Sequence, residues 1–170
     1  MKRYAIFVLS ILTLWACSNQ DSREWFETKE EAVEYGLQTA DQAVPLKVLL
    51  SQEEFNGETI VFYELAGDLG VGSITESKKG YSWYEPGPYY GFEVEGDIPY
   101  STSGFEYETE SGLKVPILYG KVFDNGIEKM VLSGNGQQRE LTFRKDSKWF
   151  FAIEQADFAE LEVTPVRPGE

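Results

Sequence analysis

The chain has 170 residues, of which 29 are acidic and 15 basic, and it contains one cysteine and no histidine. The missing histidine removes the commonest general base and metal ligand, and a single cysteine excludes an intramolecular disulfide and a cysteine-based metal site. A formal net charge of −14 makes nucleic acid an unfavourable partner. We therefore expect no cofactor and no nucleic-acid partner, and catalysis would have to use carboxylates or a Ser–Lys pair.

The first seventeen residues have the layout of a secretory signal. Lys2-Arg3 provides a positive start, residues 4–14 form a largely apolar run, and the small residue Ala16 stands just before Cys17. The run is shorter than the roughly 20 residues that a membrane-spanning helix needs. An ordinary signal peptide would leave Cys17 as an unexplained free thiol, and the position of Cys17 favours a different role.

The four residues Leu14-Trp15-Ala16-Cys17 resemble the lipobox of bacterial lipoproteins. The resemblance implies that residues 1–16 are removed as a signal peptide and that a diacylglycerol is attached to the sulfur of Cys17. It also implies that the lipid holds the protein on the extracytoplasmic face of the cell membrane, and it implies nothing about the fold beyond residue 17. The first sixteen residues hold two basic and no acidic side chains, so their removal changes the formal charge from −14 to −16.

A short tether, residues 17–27, precedes a predicted helix over residues 28–41. Thr28 and Glu31 have the spacing of a capping box, in which each side chain accepts a backbone N–H at the start of a helix. Small and apolar residues follow at helical spacing: Ala32, Val33, Gly36, Leu37 and Ala40. The small side chains favour close packing of this helix on a sheet.

After Pro45 the pattern changes to alternating and β-branched segments. Five strands are predicted, over residues 46–50, 59–65, 71–76, 81–84 and 90–95. Turn signals separate them at Asn56-Gly57, Gly67-Asp68-Leu69-Gly70 and Lys79-Gly80. Residues 28–95 are therefore predicted to form one helix on an antiparallel meander.

Residues 96–104 are rich in turn-forming residues and are predicted to be a linker or crossover. Six further strands are predicted over residues 105–109, 115–123, 127–132, 139–144, 149–154 and 161–163. Short strands at this spacing are typical of a small β-sandwich or barrel, so residues 105–164 are predicted as such a module, with a flexible tail at 165–170. The predicted fold class is a β-rich α+β fold, with one N-terminal helix on an antiparallel sheet followed by a second small β-sandwich-like or barrel-like module.

The densest feature of the sequence is a group of nine aromatic residues between positions 81 and 107. A Pro-Gly-Pro loop, residues 86–88, lies among them, and rings presented at a rigid loop offer a flat surface to a sugar or a peptide. The candidate binding residues are those that flank this loop: Trp83, Tyr84, Tyr89 and Tyr90. The same alternation allows rings to fill a core, which we favour for Trp83, Phe92 and Phe105. An exposed binding face is the prediction for the three tyrosines.

Two acidic runs alternate along predicted strands, Glu93-Glu95-Asp97 and Glu106-Glu108-Glu110. Clustered carboxylate oxygens are the ligands that Ca²⁺ prefers, but the sequence has no EF-hand loop, and any half-solvated strand shows the same spacing. We favour solvated strand faces, so no metal site is predicted.

These patterns favour a lipid-anchored cell-envelope protein that acts as a non-catalytic binding or interaction module. Its expected partners are the membrane, through the N-terminal lipid, and an envelope protein or a glycan. One alternative is a carboxylate-based hydrolase acting on glycans, for which Glu85, Glu93 and Glu106 are the candidate residues. It requires a concave site that contains a carboxyl with a raised pKa. A second alternative is a passive structural or assembly subunit.

Overall fold

The computed structural model of the protein describes residues 23–38, 46–93, 96–134, 136–141, 143 and 145–169. The predicted signal peptide, the lipidation site Cys17 and the tether up to residue 22 lie outside these residues. Lipidation therefore stays a prediction.

The described residues form one α-helix, one short 3₁₀-helix and ten strands. These elements are α1 (Lys29–Leu37), β1 (Val48–Phe55), β2 (Glu58–Leu65), β3 (Asp68–Ser77), β4 (Gly80–Tyr84), β5 (Tyr100–Glu108), β6 (Lys114–Val122), β7 (Lys129–Gly134), β8 (Gln137–Leu141), β9 (Trp149–Ile153), the 3₁₀-helix (Phe158–Glu160) and β10 (Glu162–Val166). No helix within the described ranges has the length and hydropathy that crossing a bilayer requires.

The start of α1 confirms the predicted capping box. The Thr28 hydroxyl accepts the Glu31 N–H at 3.2 Å, and the Glu31 carboxylate accepts the Thr28 N–H at 3.2 Å. A cap of this kind contributes about 1 kcal/mol to helix stability. The helix ends at Leu37, and residues 39–41 of the predicted helix lie outside the described ranges.

Close packing of α1 on the sheet depends on Gly36. A Cβ atom at this position would lie 2.0 Å from the ring of Trp83 in β4, a distance that no side chain can occupy. Ala32 and Val33 are buried on the same side of the helix, against Val61 and Ile74. The small residues in the helix therefore bring its backbone directly onto the indole ring.

The first four strands form an antiparallel sheet in chain order, β1-β2-β3-β4. The β1–β2 hairpin turns at Asn56 and Gly57, whose φ angles of 48° and 87° are those that a two-residue Asn-Gly turn requires. Strand β2 is buried on both faces. Val61 lies in the core beside α1, and Phe62 lies in the core shared with β6 and β9.

The remaining strands form two antiparallel three-stranded sheets. We call the sheet β5-β6-β9 the middle sheet and the sheet β10-β7-β8 the outer sheet. Strand β6 is buried on both faces, since Ile117 packs with the first sheet and Leu118 packs with the outer sheet. The fold thus has four layers, α1, the four-stranded sheet, the middle sheet and the outer sheet, with an apolar core between each neighbouring pair. This architecture confirms the predicted β-rich α+β class.

Several strand boundaries differ from the prediction, and three of the differences concern the predicted linker, the predicted tail and the strand predicted over residues 90–95. Strand β5 begins at Tyr100, inside the segment 96–104 predicted as a linker. Tyr100 is held there because its hydroxyl donates to the Val163 carbonyl at 2.9 Å and its ring packs on the core between the middle sheet and the outer sheet. Strand β10 extends into the predicted tail, where Pro165 is tolerated because β10 lies at a sheet edge. The strand predicted over 90–95 is reduced to a single bridge at Tyr90 within the residues described there.

Candidate functional site

The candidate aromatic loop is an excursion from the edge of the first sheet. Strand β4 pairs with β3 up to Tyr84, and the chain then leaves the sheet over residues 85–89. It returns at Tyr90, which exchanges two backbone hydrogen bonds of 2.8 Å with Leu69 of β3. The two prolines in the excursion lack a backbone N–H, so this segment does not continue the ladder.

The carboxylate of Glu85 accepts hydrogen bonds from three polar side chains around this loop. One oxygen accepts from the Lys47 ammonium at 2.5 Å and from the Trp83 indole N–H at 3.2 Å, and the other accepts from the Tyr89 hydroxyl at 2.9 Å. Lys47 also donates to the Gly36 carbonyl at 3.1 Å. We call this group of residues, together with the adjacent Tyr63, the Glu85 hub. It joins the end of α1, the chain before β1, strand β4 and the loop.

Electrostatics in the Glu85 hub favour the charged form of the Glu85 carboxylate. Burial alone would raise the pKa of Glu85, but Lys47 and the neighbouring tyrosine hydroxyls outweigh burial and hold the pKa below its ordinary value. The Lys47 ammonium further lies 4.9 Å from the centre of the Tyr63 ring, within cation–π range. A carboxylate held in its charged form is a poor general acid, so Glu85 does not fit the acid role of a carboxylate pair.

Tyr63 lies beside the same carboxylate. Burial, followed by the nearby Glu85 charge, raises the pKa of the Tyr63 hydroxyl. The hydroxyl is nevertheless buried without a well-formed hydrogen bond to any described residue. It is the one polar atom of the Glu85 hub that lacks a partner among those residues.

The structure separates the four candidate binding residues. Trp83 is half-buried in the Glu85 hub, and Tyr89 is 41% exposed, with its ring edge-on to Tyr63 at 6.3 Å. Tyr84 is half-buried. The Tyr90 ring stacks on the Phe105 ring at a centroid distance of 3.9 Å and packs on the core between the first sheet and the middle sheet. Of the three tyrosines predicted to form an exposed face, Tyr89 is the one whose ring lies mainly at the surface.

The other predicted acidic positions that the structure describes are exposed or half-buried. Glu106 pairs with Lys114 at 2.6 Å, and Glu110 pairs with Arg23 at 3.1 Å. Glu93 is exposed, and Glu95 lies outside the described residues. Within the described part of the chain, no three acidic side chains come together in an arrangement that could hold a metal ion.

A second site was not predicted from the sequence. A cavity of about 380 Å³ lies between three edge strands, one from each sheet. These strands are β1 of the first sheet, β9 of the middle sheet and β8 of the outer sheet. We call it the three-edge cleft. Its lining comes from Leu50, Ser51, Glu53, Arg139, Glu140, Leu141, Phe143, Ser147, Trp149 and Phe151.

Glu53 is the half-buried carboxyl of the three-edge cleft. Burial raises the pKa of Glu53, and the positive charge of Arg139 offsets part of this effect. Arg139 itself is bound at the rim of the cleft, where its guanidinium donates to the Glu154 carboxylate at 3.2 Å and to the Ile153 carbonyl at 3.3 Å. Glu140 forms an ion pair with Lys129. The cleft therefore holds one carboxyl, that of Glu53, whose charged form is disfavoured by burial. The charged groups of Arg139 and Glu140 nearby already have partners.

Two residues that line the three-edge cleft each carry a buried polar atom without a partner among the described residues. Trp149 is 1% exposed and Ser147 is 8% exposed, and neither the indole N–H nor the Ser147 hydroxyl forms a hydrogen bond within the described chain. A buried polar group without a partner costs about 1–3 kcal/mol. Five such atoms occur among the described residues, and two of them belong to residues that line this one cavity.

One signal in the sequence points toward the three-edge cleft. Strand alternation places Glu53 on the same face of β1 as Ser51 and Phe55, all of which are half-buried. An acidic residue on an inward-facing strand position is unusual and marks a place to look. The predicted strand at 46–50 ended before Glu53, so the signal was missed. The meeting of Glu53 with Arg139 and Trp149 depends on the packing of three sheets and has no local sequence pattern.

The chain was compared with protein-family models, with curated proteins and with solved structures. None of the three comparisons found a match. The chemistry and geometry of its own residues are therefore the basis on which a function can be proposed.

Proposed function

We propose that the protein is a bacterial lipoprotein whose folded part is a non-catalytic binding module held at the extracytoplasmic face of the membrane by Cys17. The three-edge cleft is its ligand site. The observation that carries this proposal is a cavity of about 380 Å³ in which two lining residues, Ser147 and Trp149, each carry a buried polar atom that has no partner among the described residues.

The anchor is supported by the lipobox-like sequence that ends at Cys17. Each buried methylene of an acyl chain contributes about 0.8 kcal/mol to membrane binding, and two chains hold a protein far more firmly than one. The folded part then needs no membrane-binding surface of its own.

The three-edge cleft is preferred to the aromatic loop because of how the polar groups in each are used. In the Glu85 hub, the Tyr63 hydroxyl is the one polar atom without a partner among the described residues, whereas both oxygens of Glu85, the Lys47 ammonium and the Trp83 indole N–H are already bonded to one another. A ligand there would have to displace these bonds. In the cleft, the Trp149 indole N–H and the Ser147 hydroxyl have no partner among the described residues. A ligand hydroxyl that reaches them would form hydrogen bonds that the free protein lacks.

Labelling in growing cells tests the anchor. Cells expressing the full chain or its Cys17→Ala variant are grown with radiolabelled palmitate and then fractionated. We expect label on the wild-type chain in the membrane fraction and none on the variant. An unlabelled wild-type chain in the cytosol would contradict the proposed function.

A second candidate function is a hydrolase that uses a pair of carboxylates. It is favoured by the raised pKa of the half-buried Glu53, a concave-site carboxyl, with Glu140 as a second carboxylate in the same lining. Incubation of the purified full-length protein with disaccharides distinguishes the two candidates. Recovery of intact disaccharide supports a binding module, whereas release of monosaccharide that Glu53→Gln abolishes supports the hydrolase.

A further inference from the structure

We propose that the three-edge cleft recognises a neutral, hydroxyl-rich small molecule, a mono- or disaccharide. This inference rests on the proposed binding function and names the chemical class of its ligand. It follows from the size of the cavity, the hydrogen-bonding character of its lining and the charges around it.

The size of the cavity fits a small ligand. Its volume of about 380 Å³ lies at the lower end of the range of small-molecule sites, roughly 300 to 1,000 Å³. Leu50, Phe143 and Phe151 contribute apolar surface to the lining. The Phe151 ring is fixed by stacking on Phe62 at a centroid distance of 4.1 Å, so it offers a rigid apolar wall. The C–H faces of a sugar ring pack well on such a wall.

The polar groups of the cleft call for a ligand that both donates and accepts. The Trp149 indole N–H can only donate, and an ionised Glu53 can only accept. A hydroxyl group satisfies either of them, and the Ser147 hydroxyl can act in both senses. A polyhydroxylated molecule therefore matches this set, whereas an ammonium group has no acceptor for the indole N–H.

The charges of the cleft favour a neutral ligand. An anion would face the Glu53 carboxyl, and the Arg139 guanidinium that could attract it is already paired with Glu154, as Glu140 is with Lys129. The two unpartnered atoms are covered by neighbouring side chains in the free protein. Binding therefore includes a small side-chain shift that brings a ligand hydroxyl to Trp149 or Ser147.

Calorimetric titration of the purified, detergent-solubilised full-length protein tests the ligand class. A panel of neutral mono- and disaccharides is titrated first, and the tightest binder is then compared with its uronate and its amino-sugar counterpart. We expect at least one neutral sugar to bind with a Kd below about 10 mM, and both charged counterparts to bind about tenfold more weakly. Absence of binding across the panel, or equal binding of a charged counterpart, would overturn the proposal.

Matched variants test the location of the site. Ser147→Ala and Trp149→Phe each remove one unpartnered donor, and each should weaken sugar binding about tenfold. The control is Trp25→Phe, because Trp25 also has a buried indole N–H without a partner among the described residues but does not line the cleft. Its affinity should equal that of the wild type. Unchanged affinity in Ser147→Ala, a substitution small enough to preserve the fold, would place the sugar elsewhere and overturn the assignment.

The two failures are distinguishable. Lipid labelling reports where the chain is held in the cell, whereas titration reports on the purified protein. A labelled protein that binds no sugar would contradict the ligand class alone, and a sugar-binding protein without lipid would contradict the anchor alone.

Discussion

The Glu85 hub and the three-edge cleft are built from the same kinds of residue. Each has a partly buried glutamate, a tryptophan and a nearby basic side chain. In the hub the Trp83 indole N–H meets a carboxylate at 3.2 Å, whereas in the cleft the Trp149 indole N–H meets no acceptor among the described residues. Burial favours the neutral form of both carboxyls, but the pKa of Glu85 is lowered because Lys47 and the neighbouring hydroxyls outweigh burial, whereas the pKa of Glu53 is raised because Arg139 offsets only part of it. The comparison teaches that hydrogen-bond partners, more than residue type, separate a structural cluster from a candidate ligand site.

The largest expected effect is the loss of Lys47. Lys47→Met removes the cation from a pair whose side chains are 10% and 18% exposed, and it leaves the Glu85 charge uncompensated. We expect the free energy of unfolding, measured by urea denaturation, to fall by about 3 kcal/mol. The control Lys114→Met breaks the exposed Lys114–Glu106 pair and should change stability too little to measure. Equal losses in the two variants would mean that the Glu85 hub is not structural.

The two tryptophans give the next largest effect. Trp83→Phe creates a void and takes a donor from Glu85, and it should cost about 2 kcal/mol of unfolding free energy. Trp149→Phe also creates a void, but it removes an N–H that has no acceptor among the described residues, so it should lose no hydrogen-bond energy and the total cost should be about 1 kcal/mol smaller. A larger loss for Trp149→Phe would reveal a partner for its N–H and would remove the contrast between the two sites.

A smaller effect is expected from pH. The folded state raises the pKa of Glu53 above its ordinary value of 4.5, so it binds this proton more tightly than the unfolded chain does. The stabilising contribution is present below pH 4.5 and is lost as the pH rises through the raised pKa. Glu53→Gln should therefore be more stable than the wild type at neutral pH, and this advantage should shrink on acidification. Thermal unfolding of both proteins from pH 4 to pH 8 measures the difference, and equal profiles would contradict it.

The smallest effect is expected for Ser147→Ala. The hydroxyl has no partner among the described residues, so its removal should leave the unfolding free energy within about 0.5 kcal/mol of the wild type or raise it slightly. Chemical denaturation checks this. A loss above about 1 kcal/mol would show that Ser147 already has a hydrogen bond in the free protein.

Local features of the fold were predictable because their causes lie within a few residues. The capping box at Thr28 and the turn at Asn56-Gly57 depend on the residues themselves, and the structure contains both. Adjacent tyrosines show the limit of such reasoning. Neighbours in an extended chain point to opposite sides, and the sequence does not show that Tyr89 faces the solvent and Tyr90 the core.

The candidate sites depend on long-range packing, which has no local pattern. Lys47 and Glu85 are 38 residues apart, and they meet because α1 and β4 pack against each other. Glu53, Arg139 and Trp149 come from three different sheets, so the three-edge cleft exists only after those sheets have stacked. Sequence patterns within one strand therefore found the aromatic loop and missed the cleft.

The position of the middle sheet makes the two halves of the chain interdependent. Ile60 and Phe62 of the first half are covered by strands that come from the second half, and those strands are covered on their other face by the outer sheet. If the chain were cleaved at Asp97 or Ile98 and the fragments separated, the N-terminal fragment would expose a large apolar surface. Such a piece would be prone to self-association, so gene truncations at this point should yield insoluble material.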